Sequence, residues 1–164
     1  MAQILTFTVG DADYAIESRR IVEVLPLVPG RAVPHVPDYI RGVITYRGSL
    51  VPLIDLGLRL AGRSPPERLS TRVIVVEFDI PGRDGRPRSA DPVRVGLVAE
   101  NVVAIRSVEE AAATLPIGHL REAPYLGSVL RLDGRTVQLL DVARLLPPEL
   151  ADGLFPDAGG VHAP

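Results

Sequence analysis

The sequence predicts an all-β protein built from a duplicated unit of about 80 residues. Three observations carry that prediction. Glycine and proline are dense, at 15 and 16 of 164 residues, and they cut the chain into short pieces. The pieces between them are aliphatic runs of strand length, some alternating and some continuous. One pattern also occurs twice. Tyr39-Ile40-Arg41-Gly42 precedes a strand, a turn at Gly48, a second strand and Leu53-Ile54-Asp55-Leu56. Tyr125-Leu126-Gly127 precedes a strand, a turn at Gly134, a second strand and Leu139-Leu140-Asp141-Val142. Each turn glycine lies seven residues before its aspartate, and the aspartates are 86 apart. Two small barrels around a common interior fit this duplication. A half of about 80 residues is marginal alone, and packing two together supplies the missing burial. The sequence halves need not be the spatial halves, since end strands can swap.

Taken in order, Leu5, Phe7 and Val9 alternate with Thr6 and Thr8, the pattern of a half-buried strand. Gly10 to Asp13 reads as a turn, and Tyr14-Ala15-Ile16 resumes the strand. Glu17 to Val22 reads as one or two helical turns. Gly42 to Tyr46 and Leu50 to Ile54 flank a turn at Arg47-Gly48 and read as a hairpin. Pro52 belongs at an edge or bulge, where its missing N–H does no harm. Leu56 to Leu60 reads as a helical turn stopped near Gly62. Arg72 to Phe78, Val93 to Val98 and Val102 to Val108 read as strands. Leu126 to Leu132 and Thr136 to Leu140 flank Asp133-Gly134, a strong hairpin signal. Glu109-Glu110 suggests an acidic first helical turn. Asp141 reads as the N-cap of a turn reaching Leu146, before Pro147-Pro148. Pro81 to Pro92 reads as a mobile hairpin loop whose Arg83, Arg86 and Arg88 are solvated. Residues 1–150 form one domain in this reading, and 151–164 a disordered tail.

Composition narrows the function. Hydrophobic residues make up 46% and charged residues 23%, an ordinary soluble balance. Aromatics are only 4%, so the core is aliphatic. All 18 basic residues are arginines, which excludes Schiff-base lysines and the phosphate-loop lysine. With no cysteine there are no disulfides, thiol nucleophiles or cysteine-held metals. A net charge of −2 without basic runs argues against a general nucleic-acid binder. The N-terminal stretch lacks a basic n-region and a long apolar core, and no run reaches membrane-span length. A cytoplasmic, soluble protein is expected.

No convincing catalytic centre emerges. His35, His119 and His162 have no metal-ligand spacing and read as surface loop or tail residues. No metal and no cofactor are expected. Asp55 and Asp141 invite comparison with the shared-proton dyad of aspartic proteases. Those enzymes present Asp-Thr/Ser-Gly, whereas these positions read Asp55-Leu56-Gly57 and Asp141-Val142-Ala143. Capping of the following turn is the simpler reading of both. An SH3- or OB-like nucleic-acid module is a further alternative, but it lacks an aromatic stacking platform and a basic groove.

Three ordered pieces carry a resemblance. They are Phe7-Thr8-Val9-Gly10 with Tyr14-Ala15-Ile16 and Ile21-Val22-Glu23-Val24, then Pro34-His35-Val36-Pro37-Asp38-Tyr39-Ile40-Arg41-Gly42-Val43, then Arg47-Gly48-Ser49-Leu50-Val51-Pro52-Leu53-Ile54-Asp55-Leu56. In combination the chain resembles the CheW family of chemotaxis coupling proteins, from about Ile4 to Leu146. The resemblance implies two five-stranded, SH3-like β-barrels around a shared hydrophobic core, with a few short helices. It implies no enzymatic activity. It also implies an adaptor that binds the regulatory domain of a CheA-type histidine kinase and the cytoplasmic tip of methyl-accepting chemoreceptors. Such an adaptor is recruited to membrane-associated arrays without inserting into the membrane. The family's hairpin usually reads Asn-Leu-Arg-Gly, where this chain has Thr45-Tyr46-Arg47-Gly48, and Glu100 stands where an aspartate is frequent. The Tyr46-Arg47-Gly48 hairpin and the Ala123-Pro124-Tyr125-Leu126-Gly127 stretch lean towards an adaptor of an alternative chemosensory pathway.

The resemblance directs attention to particular partner-binding residues. Kinase contact is expected at one barrel end, with Val43, Ile44, Leu50 and Val51 as apolar candidates, although alternate strand residues normally serve the core. A helical receptor tip calls for a groove, placed between the barrels and lined by Val102 and Val103. Arg47, at the hairpin tip, can grip a carboxylate or carbonyl with its planar fork. Glu23 matches the family's Ile-x-Glu-Val run and is expected to meet a partner arginine. Gly42 and Gly48 are expected as backbone devices requiring positive φ or close approach.

Overall fold

The computed structural model describes residues 2–82, 84, 86–88, 91–102, 105–108, 113–116 and 123–156. Its strands are β1 (Ala2–Val9), β2 (Ala12–Glu17), β3 (Ile21–Pro26), β4 (Ile40–Tyr46), β5 (Ser49–Asp55), β6 (Thr71–Phe78), β7 (Val93–Glu100), β8 (Ile105–Val108), β9 (Ala113–Pro116), β10 (Leu126–Leu132) and β11 (Arg135–Leu140). Among the described residues one α-helix, α1 (Pro148–Leu154), follows them.

Five strands make the first barrel, in the order β4-β5-β7-β6-β3, with β5 and β7 parallel and the other neighbours antiparallel. It closes where Arg31, beyond the end of β3, exchanges backbone hydrogen bonds of 2.8 and 2.9 Å with Val43 on β4. The second barrel repeats this order as β10-β11-β2-β1-β8, and here β11 and β2 are the parallel pair. It closes through β9, which follows β8 in the chain and pairs with β10. β8 and β9 therefore share the fifth place, and the expected two five-stranded barrels are the fold. The end strands do swap: β1 and β2, first in the chain, complete the second barrel.

The hairpin turns obey the same physics in both barrels. Arg47 and Gly48 have φ of 48° and 80°, and Asp133 and Gly134 have 51° and 78°. Positive φ at both central residues is the type I′ signature, whose twist matches that of the flanking strands. The repeated tyrosines also have equivalent tasks. The Asp55 amide donates to the Tyr39 carbonyl at 2.7 Å, and the Asp141 amide to the Tyr125 carbonyl at 2.8 Å.

Hydrophobic burial divides into three regions. Tyr46, Val51, Leu53, Val73, Val75 and Val98 fill the first barrel. Ile4, Ala15, Val108, Leu130 and Val137 fill the second. Between them lies the shared core, where Phe7, Ile16, Ile54, Ile74, Leu97 and Leu140 meet. A strand facing a barrel interior on one side and the shared core on the other is buried on both faces. That explains the unbroken burial of Val51 to Asp55 in β5. Pro52 is accommodated because the β5–β7 ladder starts one residue later, at Leu53 opposite Gly96.

Several local expectations are corrected. The helical reading of Glu17 to Val22 holds only for a 3₁₀ turn at Ser18–Arg20. Ile21 onward is β3, because its β-branched side chains find a partner strand in β6. Val102 precedes β8 rather than belonging to it. Arg88 is not a solvated tip: it pairs with Asp152 on α1, and its amide donates to the Ile80 carbonyl at 2.9 Å. The tail expected from 151 begins inside α1, where Ala151 is buried and Leu150, Leu154 and Phe155 pack on the shared core. Residues 157–164, His119, His162 and Glu109-Glu110 lie outside the described residues, and Ala113 opens β9.

Candidate functional site

The β4–β5 hairpin carries the best-defined polar cluster at a barrel end. Glu23 on β3 accepts the Tyr46 hydroxyl at 2.6 Å and the Arg47 guanidinium at 3.1 Å, both on Oε1. The Arg47 guanidinium also lies 5.1 Å from the centroid of the Tyr46 ring, and that of Arg94 lies 5.9 Å from it. Arg94 is in turn paired with Glu77 at 2.8 Å. The hydrogen bond to Glu23 raises the Tyr46 phenol above its usual value, with burial adding in the same direction. A tyrosine in this place therefore keeps its proton and its grip on Glu23. Glu23, expected to meet a partner's arginine, already holds one from its own chain. The side chains of Arg47 and Glu23 stay 61% and 41% exposed, so a partner can reach both.

The apolar candidates separate clearly. Leu50 is 70% exposed beside Arg47, as a partner anchor requires. Val51 is fully buried in the first barrel and is corrected from contact to core residue. Val43 and Ile44 are half-buried, and Ile44 packs against that barrel's interior. Sequence reasoning missed Val24, which is 37% exposed on β3 one residue from Glu23. It also missed Tyr46 and Arg94; the tyrosine in place of the family's usual leucine was the available signal.

The glycines act through the backbone, as expected. Gly42 has φ of +132°, and a Cβ there would lie 2.4 Å from the Arg31 carbonyl oxygen. Gly48 has open space around it and is needed only for its φ of +80°.

The groove expected between the barrels at Val102 and Val103 is not the cleft beside Asn101, whose strands all belong to the second barrel. Asn101 anchors the crossover from β7 to β8, donating from its side chain to Thr8 at 2.9 Å. Beside it a cleft of about 510 Å³ opens between β1 and the β10–β11 hairpin. Val102 is half-buried and packs into the shared core, so it does not line this cleft. Val103 lies outside the described residues.

The two aspartates are turn caps. Asp55 is fully buried; it accepts the Leu58 amide at 3.0 Å and the Ser64 hydroxyl at 2.7 Å, and it pairs with Arg41 at 3.3 Å. Asp141 is exposed; it accepts the Ala143 amide at 3.2 Å and pairs with Arg144 at 3.3 Å. Different partners and opposite burial leave no shared-proton pair. Among the described residues no group of three or more His, Asp or Glu side chains could hold a metal ion, and His35 is an exposed loop residue.

Comparison with known proteins decides the family. The model of the CheW-like domain matches residues 3–149. The chain belongs to the CheW-like family. The chemotaxis protein CheW of Klebsiella aerogenes is 31% identical over 149 residues, covering 90% of this chain and 82% of that protein. That of Rhizobium meliloti is 28% identical, covering 90% and 88%. Protein FrzA of Myxococcus xanthus is 27% identical, covering 88% and 84%. The scaffolding protein TtCheW of Thermoanaerobacter tengcongensis shares the fold, with a TM-score of 0.72 at 20% identity over 89% of this chain and 88% of that one. As a CheW-like protein the chain is a non-enzymatic scaffold, which removes the hydrolase alternative. Among the described residues no helix is long and apolar enough to cross a membrane.

Proposed function

We propose that this protein is an adaptor coupling chemoreceptors to a CheA-type histidine kinase. The kinase's regulatory domain docks on the end of the first barrel, around Glu23, Val24, Arg47 and Leu50. A helical chemoreceptor tip occupies a groove between the barrels, and these contacts recruit the protein to membrane-associated arrays. The observation that supports the reading best is the CheW-like match across residues 3–149. The barrel end supplies what an interface needs: exposed Leu50 on the hairpin, a tyrosine and two arginines at the same end, and carboxylates already paired.

The test is a calorimetric titration against the regulatory domain of each CheA-type kinase of the source organism. Saturable 1:1 binding to one of them establishes the coupling role and identifies the pathway, conventional or alternative. A folded protein that binds none of them refutes it. Arg47→Glu sets a second carboxylate against Glu23. It is expected to weaken kinase or receptor binding by more than about tenfold, or 1.4 kcal/mol. Both side chains are exposed, so folding stability should change by less than about 1 kcal/mol. Unchanged affinity for both partners in the folded variant removes Arg47 from the site.

A further inference from the structure

The junction of the two barrels holds an arginine whose charge no carboxylate among the described residues answers. Arg59 lies in the π-helical turn Gly57–Ala61 that follows β5. Its guanidinium sits 5.0 Å from the Tyr39 ring centroid and 4.5 Å from that of Tyr125, between the tyrosines that head the two repeats. Its Nε donates to the Leu145 carbonyl at 3.0 Å. Among the described residues no Asp or Glu lies within ion-pairing distance of it. Three arginines at other clefts are already paired: Arg106 with Asp133, Arg135 with Asp13, and Arg41 with Asp55.

Arg59 faces a cavity of about 320 Å³. Its walls are Phe78 and Ile80 at the end of β6, Leu146 beyond β11, and Ala151 on α1. Arg144 reaches the rim, but Asp141 holds it. The volume and the mainly apolar lining are those of a small-molecule site, and junctions between folding units are where such sites concentrate. An apolar wall favours an apolar ligand body. Among the described residues only its Nε is committed to a hydrogen bond; a half-buried guanidinium in that state favours an anion, and its planar fork matches a carboxylate.

We propose that this cavity binds a small organic anion, an apolar body ending in a carboxylate, with Arg59 as its charge partner. The ligand would touch both barrels and α1 together. The proposal does not depend on the adaptor reading, because nothing in it involves the hairpin end of the first barrel.

The test uses the full chain with octanoate and its neutral counterpart 1-octanol, followed by calorimetry and amide chemical shifts. Saturable submillimolar binding of octanoate is expected, with shifts centred on Ile80, Ala143 and Ala151 and at least tenfold weaker binding of the alcohol. Arg59→Gln should erase the preference for the anion. Ala143→Phe fills the cavity from its wall and should abolish both interactions; it decides the matter if Arg59→Gln fails to fold. The proposal is overturned if wild type binds neither probe, if octanoate binds Ala143→Phe as tightly as wild type, or if folded Arg59→Gln keeps its preference.

Discussion

Gly42 and Gly127 both lie at the register shift of their hairpins, one position apart in the repeat, yet alanine should have very different effects at them. At Gly42 the backbone has φ of +132°, and the added Cβ would meet the Arg31 carbonyl oxygen at 2.4 Å and its carbonyl carbon at 2.8 Å. Both atoms are backbone, and they belong to the Arg31–Val43 bridge that closes the first barrel. Neither can swing aside as a side chain could. Forcing the sparsely populated φ costs about 1–3 kcal/mol. Overpacking adds about 1–3 kcal/mol. The expected loss for Gly42→Ala is therefore about 2–6 kcal/mol. At Gly127 the nearest atom is the Leu139 carbonyl oxygen at 3.3 Å, which a shift of a few tenths of an ångström relieves. Reduced freedom of the unfolded chain returns about 0.4–1 kcal/mol, so Gly127→Ala should lie within about 1 kcal/mol of wild type. Urea unfolding of both variants measures the difference. In a thermal melt Gly42→Ala should drop by at least about 4 °C, at about 2–4 °C per kcal/mol. A Gly42→Ala variant as stable as wild type, or a Gly127→Ala variant equally damaged, refutes the reasoning. A loss of partner binding in Gly42→Ala would then reflect an opened barrel rather than a lost contact.

Two further predictions concern charged groups. Asp55→Ala strips the Leu58 amide and the Ser64 hydroxyl of their acceptor and Arg41 of its buried carboxylate, leaving it only Glu67, and should cost about 3–5 kcal/mol. Asp141→Ala removes only an exposed cap and should cost about 0.5–2 kcal/mol by urea unfolding; equal costs would contradict their different burial. Burial raises the phenols of Tyr14 and Tyr39, and the hydrogen bond to Glu23 raises that of Tyr46. The unfolded chain, with tyrosines near about pH 10, then releases these protons first. Their contribution is complete below that pH and is lost as pH rises through the folded values. The urea midpoint should fall between pH 9 and pH 11, and a midpoint that holds or rises there defeats this assignment.

The repeat was legible because turn chemistry is local. Arg47-Gly48 and Asp133-Gly134 announce their hairpins, and the aspartates seven residues on announce their caps. Strand burial was harder to read. In β5 the interior of one barrel and the shared core claim opposite faces, so alternation vanishes and Val51 cannot be told from Leu50 by period alone. The partner of Glu23 was also hidden. Arg47 lies 24 residues away, and only the folded barrel brings β3 to the hairpin tip. Arg59 had no local signal: its cation lies between rings that the repeat places far apart in sequence. Helix α1 was obscured by Gly153 and the flanking prolines, which read as a loose tail until the apolar faces of Ala151, Leu154 and Phe155 found the shared core.

The path of the chain between the barrels bears on how the protein unfolds. β1 and β2 belong to the second barrel, the chain then builds the first from β3 to β7, and it returns to the second at β8. No single cut separates the barrels into continuous segments. Phe7 and Ile16 come from the second barrel, yet they lie in the same core as Ile74 and Leu97 of the first. Melting either barrel would therefore expose that core on the other and strip β1 of its pairing to β7 at Thr8 and Glu100. A half of about 80 residues cannot offset that loss alone. One cooperative transition is expected, with far-ultraviolet dichroism and tyrosine fluorescence coinciding and calorimetric and van't Hoff enthalpies equal. Two resolved transitions would mean that each barrel's own interior suffices to hold it, and that the shared core only docks the barrels together.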